Sequence, residues 1–184
     1  MYEPDDFVLS LWFGGTSSYS SGNFVFDAEG NLWSGANWMA GSQSGVVKNI
    51  GGGVSKFSPN GTPLSPPILG FTGMGTDGFG WGTGVTQDRV WASSWNGKVL
   101  VMDFDGHPIA KESDFPIKEK LHGLMGVGIA ANGDVWIAAG SDDLLLYFPG
   151  GRFQDGRIVK VPGLKSPFGI AITAVEASLC PCVL

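Results

Sequence analysis

An all-β fold of four-stranded antiparallel blades, the β-propeller plan, is predicted by three features of this 184-residue chain. The first is a phrase that recurs down the sequence: a glycine, a few apolar residues, a polar or glycine turn, then an apolar-Trp pair. Gly22, Gly82, Gly126 and Gly169 open it, and Leu32-Trp33, Val90-Trp91 and Val135-Trp136 close it where it is complete. The opening glycines stand 60, 44 and 43 residues apart, and a period in the forties with strand-forming content is the mark of propeller blades. Composition is the second feature. Thirty Gly and eleven Pro beside only 15% charged residues call for many tight turns and little helix, and a 43% hydrophobic share argues against disorder. The third is the hairpin signal itself, Asn132-Gly133, Asp105-Gly106 and Glu29-Gly30 set between short apolar runs.

Taken in order, residues 1–20 are an N-terminal segment holding one apolar strand, Phe7-Val8-Leu9-Ser10-Leu11-Trp12-Phe13, without a partner in its own repeat. It reads as an outer strand of an incomplete blade. The repeats fill 21–172, divided at about 21–80, 81–124 and 125–166, with a fourth starting at 167. In the first, Asn23-Phe24-Val25-Phe26 turns at Glu29-Gly30 into Asn31-Leu32-Trp33. A Gly/Ser-rich insertion between Ser34 and Gly53 then delays the third strand, Val54-Ser55-Lys56-Phe57. The second runs Gly84-Val85-Thr86, Arg89-Val90-Trp91-Ala92-Ser93, Lys98-Val99-Leu100-Val101-Met102 and an outer strand His107-Pro108-Ile109-Ala110. The third is the clearest: strands at 126–130, 134–138, 144–148 and 156–161. The fourth begins as Pro167-Phe168-Gly169-Ile170-Ala171-Ile172, and 173–184 is a tail in which the pattern stops.

Charge and composition remove several classes of function. With 11 basic against 17 acidic residues the chain carries a formal −6, and its densest basic stretch, Lys111 to Lys120, alternates with Glu112, Asp114 and Glu119. No basic stripe exists to displace counterions, so nucleic acid is not expected as a partner. No run of 18 apolar residues is present, so no membrane span is expected. The start, Met1-Tyr2-Glu3-Pro4-Asp5-Asp6, is acidic where a signal peptide is basic, and the compartment stays unassigned. Cys180 and Cys182 sit in the last five residues and set no disulfide framework.

The run from Val127 through Asn132-Gly133-Asp134-Val135-Trp136 to Ala138 resembles the core of an NHL repeat, as do 24–33 and 168–172. The likeness covers most of 20–172 and extends to streptogramin-lyase-like and gluconolactonase-like propellers. It implies blades around a central channel, six in many members. This chain holds about three and a half, so the expectation is a small or incomplete propeller of three to four blades, a piece of a larger six-bladed type.

Among local motifs, Gly73-Met74-Gly75-Thr76-Asp77-Gly78 spells G-x-G-x-x-G, but Phe79-Gly80-Trp81-Gly82 follows and cannot start the helix a dinucleotide site needs. Asp103-Phe104-Asp105-Gly106 resembles the opening of a calcium loop, yet the twelfth position holds Asp114 and the fifth is not acidic, so a hairpin turn is the better reading. Asn60-Gly61-Thr62 spells a glycosylation sequon at an expected turn. His107 starts an outer strand, whereas His122 precedes the innermost strand of the third repeat. The lyase resemblance makes His122 a candidate general base or acid, beside its reading as a plain loop residue. The loops after the second strands open on one face and supply Asn37 and Trp38, Trp95 and Asn96, and Asp142 and Asp143. A Trp beside an Asn suits a sugar or flat ligand, the ring stacking and the amide bonding. The gluconolactonase resemblance adds a divalent metal such as Mg or Ca at the channel mouth, for which Asn96 and Asp142 are the only counterparts and a Glu is lacking. The expected function is therefore a non-catalytic propeller module that binds a protein or small ligand and needs no cofactor. The alternative is a lyase using His122 or a metal-dependent lactone hydrolase. Self-association through unpaired blade edges is expected as well.

Overall fold

The computed structural model describes residues 21–36, 53–66, 70–74 and 80–172. Asn37, Trp38, the 7–13 strand and most of the G-x-G-x-x-G run lie outside them. The described residues form three antiparallel sheets. The first holds β1 (Ser21–Phe26), β2 (Leu32–Ala36) and β3 (Val54–Phe57), and the second β4 (Gly80–Val85), β5 (Val90–Ser94) and β6 (Val99–Met102). The third adds a fourth strand, being β7 (Leu124–Ile129), β8 (Val135–Ala139), β9 (Leu144–Phe148) and β10 (Arg157–Val159). Each sheet runs in sequence order, and the first strands β1, β4 and β7 lie against one another.

The expected four-strand units thus appear in full only once. Where β10 begins in the third sheet, the first two sheets have Pro63 and Pro108, each joined by a single bridge, to Phe57 and Met102. Little follows: Leu64 N–H and Ser65 N–H both go to Lys56 O (2.8 and 3.4 Å) in the first, and Ile109 N–H goes to Val101 O (3.0 Å) in the second. Proline has no N–H to extend a ladder, so the outer strand ends almost where it starts.

Burial follows from the number of covered faces. Every residue of β5 and β6 is buried, because Val90, Ala92, Leu100 and Met102 pack toward Trp33 of the first sheet while Trp91, Val99 and Val101 pack toward the third. In β9 burial alternates. Leu144, Leu146 and Phe148 face the second sheet and are buried, and Leu145 and Tyr147 on the other face are only half-buried. Period-two alternation is what one covered face produces.

The repeat is visible as register. Each first strand carries a bulge at one place, between Ser21 and Phe24, Gly80 and Thr83, and Leu124 and Val127. Val25, Gly84 and Gly128 pair with Trp33, Trp91 and Trp136. Counting back from these pairs, Gly82 and Gly126 are equivalent, but their counterpart in the first sheet is Asn23, one residue beyond the expected Gly22. The reason is a contact between sheets. A Cβ at Gly82 falls 2.2 Å from Met125 O and 2.9 Å from Val127 N, so the second and third sheets meet backbone to backbone. Between the first two sheets the Asn23 amide does this work, accepting from Thr83 N–H (2.6 Å) and donating to Thr83 O (2.7 Å). Residues 167–172 rest on β7 in the same manner: Gly126 N–H donates to Phe168 O (2.8 Å), and a Cβ at Gly128 falls 2.4 Å from Ile170.

The three repeat tryptophans differ with their cover. Trp33 is fully buried against Phe71 and Phe104, and its indole N–H donates to Asp27 Oδ2 at 2.9 Å. Trp91 is fully buried against Phe148, 4.9 Å between centroids, but its N–H meets no acceptor among the described residues. Trp136, on the outer face of the third sheet, is half-buried over Tyr147. Asp27 also receives the N–H groups of Glu29 and Asn31. Partial burial pushes its carboxyl up, but the bonds from Trp33 and Asn31 outweigh this and hold it below the ordinary 3.8. A carboxyl depressed in the folded state stabilises above its unfolded pKa and loses that contribution as pH falls through the folded value. Stability of the chain is therefore expected to drop below about pH 4, and Asp27→Ala to shrink that drop; urea melts at stepped pH measure both.

Candidate functional site

The loops at one end of the sheets are tied into a circuit. The β5–β6 turn lifts Trp95 into solvent, 43% exposed, while Asn96 Oδ1 accepts Lys98 N–H at 3.3 Å inside the same turn. Trp95 O accepts Gly123 N–H (2.7 Å), and Gly123 O accepts Gly140 N–H (3.0 Å). His122 is exposed, and its backbone N–H donates to Asp142 Oδ2 (2.9 Å). Asp143, held at φ 56°, receives Lys165 Nζ and Ser166 N–H, both at 2.8 Å, and those bonds, Lys165 foremost, hold its carboxyl below the usual range. Of the residues singled out in the sequence, the structure thus joins Trp95, His122 and Asp142 through the Gly123 loop. Asn96 serves its own turn, Asp143 holds the 165–166 segment, and Asn37 and Trp38 lie outside the described residues.

Two residues of this face were not singled out. Trp81 stands 6.3 Å from Trp95 and 5.1 Å from Phe168, the latter edge-on at 86°. Phe168 is 56% exposed. Trp81 falls in the bulge of β4, and bulges re-aim side chains in this way. A sequence signal did exist: Trp81, Met125 and Phe168 each immediately precede an opening glycine. Gly140 completes the circuit, since a Cβ there falls 2.9 Å from Pro167 O and 3.5 Å from Met125. Trp95, Gly123, Gly140, Pro167-Phe168 and Trp81 so follow one another around one patch, with Met125 against Gly140.

Among the described residues, the one His/Asp/Glu grouping tight enough for a metal ion is Asp103, Asp105 and His107. Its central carboxylate is already engaged: Asp103 Oδ1 accepts the N–H groups of Asp105 (3.0 Å) and His107 (2.8 Å), as in an ordinary Asx turn. Concave surface lies elsewhere among the described residues. A groove of about 870 Å³ runs along the first strands, lined by Phe24, Val25, Val85, Ile129 and Ile172, and a cleft of about 530 Å³ opens between β6 and β9 over Phe115 and Phe148.

Fold and site together define an all-β protein of stacked antiparallel sheets with an aromatic patch at one end. Protein-family models and curated proteins give no match to the sequence. Solved structures do match in fold. The designed protein Ika8 is 11% identical with a TM-score of 0.56 over 84% of this chain and 40% of its own. The designed protein Ika4 is 11% identical with a TM-score of 0.54 over 88% of this chain and 84% of its own. The extracellular domain of BT3049 from B. thetaiotaomicron, 16% identical, gives 0.52 over 79% of this chain and 18% of its own. The chain therefore spans well under two thirds of Ika8 and of the BT3049 domain. At such identities the likeness speaks for fold alone. No helix among the described residues is long and apolar enough to cross a membrane.

Proposed function

We propose that the chain is a non-catalytic β-propeller module with NHL-type repeats, whose loop face binds a small ligand or a protein segment. The propeller reading is supported by the repeated bulge, the repeated glycine contact between first strands, and the placement of 167–172 where a fourth sheet would begin. The observation that carries the functional reading is the ring group of half-buried Trp81 with exposed Trp95 and Phe168. Exposed aromatic clusters cost solvation free energy and mark binding surfaces. The polar residues of the same face bear on the enzyme alternative. Asp142 and Asn96, the pair the gluconolactonase resemblance would give to a metal, both accept backbone N–H groups.

A direct test soaks the purified chain in a library of glycans, peptides and metabolites while melting temperature and Trp emission are read, and assays lactone turnover with added Mg²⁺ or Ca²⁺. Binding without turnover is expected. Turnover abolished by His122→Ala would replace this proposal with the enzyme.

The proposal includes self-association. Phe24 and Phe26 of β1 are 52% and 66% exposed, and Phe168 and Ile172 are exposed at the other end of the series. Light scattering on a size-exclusion column is expected to show mass rising with concentration, and Phe26→Asp to reduce it. A monomer at every concentration tested would remove this part.

A further inference from the structure

We infer that the loop-face patch binds a neutral sugar ring, stacked within the corner formed by Trp81, Trp95 and Phe168. The inference rests on the binding-module reading and adds the ligand's chemical class. Three observations lead to it. The rings are mutually inclined, Trp81 lying at 45° to Trp95 and 86° to Phe168, so they form a corner with Trp81 at its centre. A corner of this kind offers π faces to the C–H side of a compact ring and leaves no flat slot for an extended planar ligand. The patch is also bounded: Trp81 meets Trp95 and Phe168, Trp95 bonds Gly123, Gly123 bonds Gly140, and Gly140 abuts Met125 and Pro167, the neighbour of Phe168.

The charges around the patch then select among compact ligands. A cation held by aromatic faces needs a carboxylate to offset its lost hydration. Both carboxylates of this loop are drawn toward the chain: Asp142 Oδ2 accepts His122 N–H, and the Asp143 oxygens accept Lys165 Nζ and Ser166 N–H. An anion would look to Lys165, whose ammonium is already paired with Asp143. Among the described residues, the rim adds hydrogen-bonding capacity from exposed groups, the His122 ring and the Ser141 hydroxyl, next to Gly123 and Gly140. An apolar ring face with hydroxyls at its edge is the chemistry of a neutral pyranose.

The test titrates the full chain with cellotetraose, xylotetraose and maltotetraose, and in parallel with tetramethylammonium, tetragalacturonate and p-nitrophenol, following Trp emission and heat. Saturable binding of at least one neutral oligosaccharide is expected. Trp95→Ala and Phe168→Ala should each weaken it about tenfold, Trp95→Phe should retain part of it, and Trp136→Phe on the other face should leave it unchanged. Melting curves on every variant separate lost binding from lost fold. No saturable signal from any of the three sugars overturns the inference, as does sugar binding indifferent to both Trp95→Ala and Phe168→Ala. Trp95-dependent binding of tetramethylammonium, tetragalacturonate or p-nitrophenol alone overturns the sugar class and leaves the binding module standing. Failure of every probe here and of the wider library brings down both.

Discussion

Trp91→Ala is expected to destabilise the chain by about 3–5 kcal/mol, the range for truncating a buried aromatic. Trp95→Ala should cost well under ~1 kcal/mol. The contrast follows from cover. Trp91 has no exposed surface and fills the space between the second and third sheets against Phe148, whereas Trp95 is 43% exposed on a turn. One compensation exists for the larger loss: the Trp91 N–H is buried without an acceptor among the described residues, so the variant also removes an unsatisfied donor. That relief is worth less than the lost ring packing. Paired thermal melts should differ by roughly 10 °C in a chain of this size. A Trp95 variant that melts below the Trp91 variant would mean that the sheet register given above is wrong.

Much of this fold was legible because both faces of the middle sheet are covered. Strands covered twice must be apolar throughout, and Val90-Trp91-Ala92 and Val99-Leu100-Val101-Met102 stand out for that reason. The glycines that close hairpins were equally plain, since Gly133 and Gly30 adopt φ of 83° and 80°, which side chains disfavour. What failed was whatever depends on a neighbouring sheet. Nothing local to Asn23 announces that its amide will bridge to Thr83, 60 residues away, so the first repeat was set one residue off. Pro108 did carry its own warning, and the strand expected there is a single bridge. Site residues follow the same division. Trp95 was identifiable as a loop aromatic, but its meeting with Trp81, and that of Trp81 with Phe168, depend on the angle between sheets and on where 167–172 settles. Asp142 and Asp143 looked like ligands because an acidic loop pair usually does. In the structure their oxygens hold chain segments 20 and 23 residues distant.

Gly82→Ala is expected to destabilise by about 3 kcal/mol or more, and Gly169→Ala by less than ~0.5 kcal/mol, although the two glycines hold the same place in the repeat. Neither takes a positive φ, so backbone preference does not separate them. Space does. The new methyl at 82 would meet Met125 O at 2.2 Å, Ser93 Oγ at 2.9 Å and Val127 N at 2.9 Å. Ser93 cannot simply turn aside. It accepts the Gly82 N–H at 2.9 Å and donates to Met125 O, so relief must come from parting β4 from β7 and breaking a bridge buried between sheets. At 169 the methyl meets nothing within 4 Å, because no described residue covers that side of 167–172. Gly126→Ala is the intermediate case, its methyl 3.0 Å from Phe168 O and Gly169 Cα, on a segment held at one edge only. Urea unfolding of the three variants should rank Gly82 as most damaging, then Gly126, then Gly169. The ranking tests how the sheets stack independently of any tryptophan. A Gly169→Ala variant as unstable as Gly82→Ala would show that the face taken as open is covered in solution.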